Sequence, residues 1–194
     1  MSIYESARNN YQRPLDGFQT TAIEHIIADS SPERILEVGC ATGKLLNRFE
    51  ELGCQAIGVD LSMSALQRVK GKTPVVQADG NELPFANDTF DLVVANHVVE
   101  HAKDVGKFVG ELVRVARPEG KVFLSYPNEP IRGLFASLGS LQLFGHPFGG
   151  RRMHLHNVRP SDFDALSNEL PFMHVNSRHS LLPMPQFFTT LSKK

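Results

Sequence analysis

Cysteine is scarce: the 194 residues hold only two, Cys40 and Cys54. Both sit in or beside apolar runs, so they make no disulfide framework and are expected to be reduced, structural thiols. Long apolar runs are missing too. None approaches the length of a membrane span, and the opening MSIYESARNNYQRP is too polar for a secretory signal. The expected setting is the cytoplasm, with no membrane partner. A charge excess is also missing. The net charge of −1 argues against a general nucleic-acid binder. There is no internal repeat and no low-complexity linker. What is present is ordinary for a globular protein, 41% hydrophobic and 21% charged residues, in a chain long enough for one compact domain.

The small net charge hides an asymmetry. Residues 131 to 194 carry seven Lys/Arg against three Asp/Glu, and five of the eight histidines. A basic, histidine-rich last third suits a polar or anionic small molecule, although a solvated face would have the same composition.

Short apolar runs alternate with amphipathic stretches. Phe18, Ala22, Ile23, Ile26 and Ile27 recur at helical spacing in DGFQTTAIEHIIA. RILEVG then reads as a strand, GKLLNRFEELG as a helix stopped by Gly53, and CQAIGVD as a second strand. Ser62 is the expected cap of a helix over MSALQRVKG. PVVQAD and FDLVVANH read as the third and fourth strands, the latter apolar enough for burial on both faces. DVGKFVGELVRVA is a helix broken by RPEG, and KVFLSYP is a fifth strand. SDFDALSNE reads as a helix capped by Ser161, followed by two closing strands, FMHVNSRHSLL and QFFTTLSKK, that suggest an antiparallel hairpin. Strands alternating with helices imply a parallel α/β sheet covered on both faces, with ligands outside the carboxyl ends of the strands.

The turn after the first strand, GCATGKL, lies at such an end. A phosphate cradle needs GxxxxGK followed by Ser or Thr, and here the glycine spacing is too short and Leu45 has no hydroxyl. Lys44 is therefore expected to be a solvated first-turn residue. A dinucleotide fingerprint needs GxGxxG, and here Gly39, Ala41 and Gly43 are spaced GxAxG. No Tyr-x-x-x-Lys pair occurs, so an NAD(P)-dependent oxidoreductase ranks behind. Three acids fit another ligand. Glu37 precedes the turn, Asp60 ends the second strand and Asp79 ends the third. A carboxylate at Asp60 can accept ribose hydroxyls, and one at Asp79 can accept the exocyclic amine of adenine. Such a row would repel a pyrophosphate but suits S-adenosylmethionine, a sulfonium that also carries an ammonium group. Taken alone, Asp60 and Asp79 would also serve as ordinary caps.

Four stretches, ILEVGCATGKLL, AIGVDLSMSALQ, VVQADGNELPFANDTFDLVVANHVVEH and ELVRVARPEGKVFLSYPN, resemble in order and spacing the class I S-adenosylmethionine-dependent methyltransferases, specifically the compact methyltransferase type 11 family. They cover residues 30 to 128, about half the chain. The resemblance implies a Rossmann-like three-layer α/β sandwich whose seven-stranded, mostly parallel sheet has its last strand antiparallel. It implies that Glu37, Gly39 and the turn through Cys40, Ala41 and Gly43 surround the methionine moiety. Asp60 would hold the ribose, Leu61 would pack on adenine, Asp79 would bond the adenine amine, and Gly80 and Asn96 would contribute backbone. Ala41 stands where the family usually has glycine, which is tolerable if its φ stays negative. Asp60 is expected to act on cofactor affinity and to leave the stability of the cofactor-free protein unchanged.

Methyl transfer needs alignment of acceptor, methyl and sulfur, and for an oxygen acceptor also a base. His97, His154 and His156 are the candidate catalytic groups, with His101 and His146 behind them. His154 and His156 share a face if RRMHLHN is extended. No carboxylate or cysteine at ligand spacing accompanies them, so no metal is assigned. The expected layout is a single domain: an N-terminal cap or helix to residue 30, a cofactor-binding core over 31–127, a lid over 128–157, and a closing helix and hairpin over 158–194. The lid, with Leu134, Phe135, Leu138, Leu141 and Phe144 before Gly149, Gly150, Arg151 and Arg152, is expected to close on a small polar or anionic acceptor. Tyr4, Arg8 and Tyr11 form a second candidate for acceptor contact. An oligomer is compatible with the sequence. A pocket that binds S-adenosylmethionine without catalysis is the alternative function.

Overall fold

The computed structural model describes residues 17–128, 154–181 and 185–194. Tyr4, Arg8, Tyr11, His146 and most of the expected lid, including its apolar anchors and its Gly149 to Arg152 tip, lie outside the described residues.

Seven strands form one sheet: β1 (Arg34–Val38), β2 (Gln55–Asp60), β3 (Val75–Gln77), β4 (Phe90–Asn96), β5 (Ala116–Pro127), β6 (Phe172–Ser180) and β7 (Gln186–Lys193). Their order is β3-β2-β1-β4-β5-β7-β6. The strands from β1 to β5 pair in parallel, and β7 runs antiparallel to both β5 and β6. This is the expected sheet with its reversed last strand. The chain leaves β1 toward β2 and β3, then returns to place β4 on the other side of β1. That reversal opens a crevice at the carboxyl ends of β1 and β4, where open α/β sheets bind ligands.

Helices cover both faces. One core joins Leu36, Val93, Ala95 and Val122 to Phe108 and Leu112 of α4 (Val105–Val115) and Phe163 of α5 (Pro160–Leu166). The other joins Ile35, Leu92, Val94 and Phe123 to Ile23 of α1 (Gly17–Ser30) and to Leu45, Leu46 and Phe49 of α2 (Lys44–Glu51). Successive residues of β4 alternate between the cores, because side chains along a strand point to opposite faces. Among the described residues, no helix is long and apolar enough to cross a membrane.

Three local expectations need correction. Ser62 does cap a helix, accepting from the Ala65 N–H at 3.3 Å, but α3 spans only Met63–Leu66. The chain beyond it runs into Gly71, at φ 117°, and Pro74, which do not continue a helix. Ser161 lies inside α5 instead of capping it. Arg159 is the cap residue, Pro160 takes the first turn, and the Asp162 carboxylate accepts from the Arg159 N–H at 2.8 Å. RPEG ends α4 but belongs to β5 as an irregularity. Ala116 pairs with Phe90 and Lys121 with Leu92, so Arg117 to Gly120 bulge opposite Asp91. Glu119 there is left-handed at φ 62°, and a Cβ on Gly120 would meet the Arg117 carbonyl at 2.7 Å.

Candidate cofactor site

The turn after β1 is built from left-handed residues. Gly39, Ala41 and Gly43 have φ of 80°, 48° and 75°. The condition of a negative φ at Ala41 is thus not met. The alternative glycine would reach this region freely, whereas an alanine pays roughly 1–2 kcal/mol of steric strain. The conformation is held from outside. The Ala41 N–H donates to Asp60 Oδ2 at 2.9 Å, and the N–H groups of Gly39 and Cys40 both donate to the Val59 carbonyl at 2.7 and 2.9 Å. Gly39 has a packing reason as well, since a Cβ there would lie 2.2 Å from Val98. Lys44 is exposed at the start of α2, as expected.

Asp60 is 5% exposed and also accepts from the Ser62 N–H, through Oδ1, at 2.8 Å. Its carboxylate therefore joins the end of β2 to the glycine turn and to the start of α3. Each oxygen keeps a second lone pair, enough for the two hydroxyls of a ribose. Two backbone donors depend on it, so a contribution of Asp60 to the stability of the cofactor-free protein is to be tested beside its role in affinity.

Glu37 is 4% exposed, and its Oε2 has no hydrogen-bond partner among the described residues. Burial first, and the negative Asp60 second, push its carboxyl up to about 8. A cationic group arriving here would relieve both effects. That is the test the residues set for S-adenosylmethionine, and its ammonium group passes it. Cys40 is 3% exposed, and burial, together with Glu37 and Asp60, raises its thiol. It contacts the turn through its backbone, while its sulfur packs in the core beside Gly58.

A small, open cleft lies at this edge of the sheet. Gly39, Asp60, Leu61, Asp79 and Gly80 line it. Leu61, 49% exposed, offers a flat apolar surface at its rim. Gly80 is required by packing, because a Cβ would lie 2.5 Å from the Phe108 ring. Asp79 is more occupied than its position suggested. Its Oδ1 accepts from both the Asn81 N–H and the Asn81 Nδ2, each at 2.9 Å, and its Oδ2 accepts from Lys103 at 3.2 Å. Chiefly the Asn81 bonds hold this carboxyl down at about 2. Asn81 Oδ1, buried in the cleft wall, has no hydrogen-bond partner among the described residues. Sequence reasoning missed Asn81, and the signal was available in DGNE, where an Asx-type turn brings the residue two after an aspartate back onto its carboxylate.

Beyond β4 lie the first of the candidate catalytic histidines and their partners. The Asn96 Oδ1 accepts from the Ser125 hydroxyl. His97 is left-handed at φ 55°, and its ring is held at both nitrogens. Nδ1 lies 3.1 Å from Glu100 Oε1, and Nε2 lies 3.1 Å from Gln186 Oε1, which also accepts from Gln19 Nε2. Glu100 is 1% exposed. Burial pushes its carboxyl up, but the bond from His97 and the charges of His97 and His101 outweigh that and lower it. The backbone carbonyl of Glu100 accepts from Leu155 and His156 at 2.9 and 3.2 Å, pinning the segment that carries His154. The ring centroids of His101 and His154 are 5.0 Å apart. His154 and His156 thus approach the site, the first by its ring and the second by its backbone.

The sheet order and the acid-lined crevice define a Rossmann-like cofactor-binding fold of the methyltransferase type. Residues 36–124 match the family model of the methyltransferase domain. Over 122 residues the chain is 36% identical to a malonyl-[acyl-carrier protein] O-methyltransferase of Halorhodospira halophila, a match covering 56% of this chain and 41% of that protein. Over 106 residues it is 34% identical to a ubiquinone biosynthesis O-methyltransferase of Rhodopseudomonas palustris, covering 49% and 40%. The matched stretch spans about two fifths of the length of these curated relatives. A solved S-adenosylmethionine-dependent methyltransferase from Archaeoglobus fulgidus shares the fold, with a TM-score of 0.72 at 20% identity over the whole of both chains. Residues 36–124 thus carry a methyltransferase domain, and these similarities support a class I S-adenosylmethionine-dependent methyltransferase.

Proposed function

We propose that the protein transfers a methyl group from S-adenosylmethionine to an oxygen of a small-molecule acceptor. The observation that carries the cofactor is the row of acids at adjacent strand ends, with Glu37 Oε2 buried and unpartnered among the described residues. The oxygen acceptor is supported by the two relatives above, both O-methyltransferases by name.

The cofactor supplies an electrophilic methyl on a sulfonium that leaves as a neutral thioether, so no residue has to protonate a leaving group. The work of the chain is placement. Glu37 receives the ammonium, and Asp60 accepts the ribose hydroxyls with the lone pairs that Ala41 and Ser62 leave over. Leu61 covers one face of the adenine. Asn81 Oδ1 accepts the exocyclic amine, and Asp79 holds the Asn81 amide in the orientation that presents it. His97, fixed between Glu100 and Gln186, shapes the floor on the acceptor side. The basic last third favours a polar or anionic acceptor, in a cytoplasmic setting.

Calorimetric titration with S-adenosylhomocysteine, NAD and ATP tests the cofactor. Binding of the first and none of comparable affinity for the others is expected, and tighter binding of NAD would overturn the reading. A library of hydroxyl-bearing acceptors assayed for S-adenosylhomocysteine release tests the reaction. Cofactor binding with no release from any acceptor would identify a binding module instead.

A further inference from the structure

We propose that Glu100, His101 and His154 form a binding site for one divalent transition-metal ion, of the class of Zn²⁺, at the border between the cofactor cleft and the acceptor side. One carboxylate oxygen of Glu100 and one ring nitrogen from each histidine lie within 4.8 Å of one another. In a tetrahedral zinc site with bonds of about 2.0–2.2 Å, ligand atoms sit about 3.4 Å apart. Closing the three by roughly an ångström is within the reach of small side-chain rotations. Two imidazoles and a carboxylate are a borderline-soft, nitrogen-rich set that suits zinc and its neighbours better than magnesium or calcium.

A second observation points to a cation independently of this spacing. Glu100 is 1% exposed, and its Oε2 has no hydrogen-bond partner among the described residues, while Oε1 is taken by His97. A buried carboxylate oxygen without a donor is costly, and a metal ion removes that cost. The His97 contact then orients the ligating carboxylate from behind, as a neighbour of a metal ligand commonly does. The main chain supports the geometry, because Leu155 and His156 both donate to the Glu100 carbonyl and so bring His154 to the turn that carries Glu100 and His101. The sequence concealed the set. No carboxylate lies near His154 in the chain, and the fold supplies one from 54 positions earlier.

Three protein ligands leave a zinc ion with an open position, the arrangement of catalytic sites. His101 also lines the cofactor cleft, so that open position would lie at the cleft's border. Its occupant would be the acceptor hydroxyl, a role that rests on the methyltransferase reading. The bound hydroxyl gives its proton to solvent at lowered pKa. The oxygen then bonds to the methyl carbon, the carbon–sulfur bond breaks, and its electron pair stays on sulfur and cancels the sulfonium charge.

The test is metal binding by the full chain without cofactor. After chelator treatment, titration with Zn²⁺ should show about one equivalent bound, and Co²⁺ should give the visible absorption of a low-coordinate nitrogen and oxygen site. His154→Ala and Glu100→Gln should each weaken Zn²⁺ binding by about tenfold or more, whereas His25→Ala, an exposed histidine on α1, should leave it unchanged. S-adenosylhomocysteine binding by His154→Ala, measured separately, reports that the cofactor half is intact. Absence of stoichiometric binding, or binding that survives His154→Ala in a protein that still binds S-adenosylhomocysteine, overturns the site. Failure to bind S-adenosylhomocysteine with Zn²⁺ binding intact would instead count against the cofactor reading alone.

Discussion

Glu37, within β1, and Glu100, in the turn after the neighbouring β4, are two buried glutamates that respond to burial in opposite ways. Each has an Oε2 without a hydrogen-bond partner among the described residues. Glu37 faces a second carboxylate, Asp60, and its carboxyl is pushed up to about 8. Glu100 faces two histidines, and its carboxyl is lowered despite burial. The same side chain at the same depth is thus set by its neighbours' sign. Glu37 is left beside a like charge, whereas Glu100 has partial counterions from the chain itself.

The largest test of this contrast is the pH dependence of Glu37. Its folded value lies above the ordinary 4.5, so between pH 4.5 and about 8 the folded chain keeps a proton that the unfolded chain has lost. Stability must therefore fall as pH rises through that window, by an amount on the order of 4 kcal/mol for a fully buried group. Glu37→Gln removes the effect. Urea denaturation of cofactor-free protein at pH 5, 6.5 and 8 should show the variant gaining on the wild type as pH rises. A constant difference would mean that Glu37 is solvated or already paired. Cofactor binding near pH 7 should also release up to about one proton, read from calorimetry in buffers of different ionisation enthalpy, and Glu37→Gln should bind about tenfold more weakly without that release.

Glu100→Ala tests the other side. Removing one partner of a buried charge-assisted pair leaves the other uncompensated, at a cost of about 3 kcal/mol. The metal-free protein should melt lower, and Glu100→Gln, which keeps a hydrogen-bonding oxygen for His97, should recover part of the loss. Equal melting of both variants and wild type would dissolve the comparison.

Asp60→Ala links the two behaviours, because Asp60 is what sets Glu37 apart. Its loss removes an acceptor from Ala41 and Ser62 and should cost about 2 kcal/mol in the cofactor-free protein. Affinity for S-adenosylhomocysteine should fall by at least about tenfold. The Glu37 transition should also move to lower pH, since one of the two causes of its shift is gone.

The cofactor half was legible in the sequence because its signals are local. Apolar strands, a glycine turn and acids near the strand ends are written in neighbouring residues, and Gly39, Asp60, Asp79 and Gly80 line one cleft beside them. The acceptor side was not legible, because its contacts join distant positions. His97 meets Gln186 across 89 residues, and Gln186 meets Gln19 across 167. No spacing rule exposes such a chain. Even within the cofactor half, the Asn81 partner of Asp79 does not follow from its charge alone. The positive φ at Ala41 is likewise not set by residue type, because the bond that goes with it runs to a carboxylate 19 positions away.

Ala41→Gly is the smallest and sharpest test of that last point. Alanine at φ 48° carries steric strain of roughly 1–2 kcal/mol that glycine does not. Glycine has more backbone freedom to lose on folding, which takes back about 0.5–1 kcal/mol. Ala41 is exposed, so its methyl has little packing to forfeit. The balance is a net stabilisation of up to about 1 kcal/mol, seen as a small rise in the urea midpoint with an unchanged slope. The N–H to Asp60 Oδ2 bond needs no side chain and should persist, so the Glu37 titration and the cofactor affinity should stay as in the wild type. A lower midpoint would show that the Asp60 clamp does not hold the turn in its left-handed form once the alanine is gone, and that the rigidity of Ala41 itself keeps Asp60 beside Glu37.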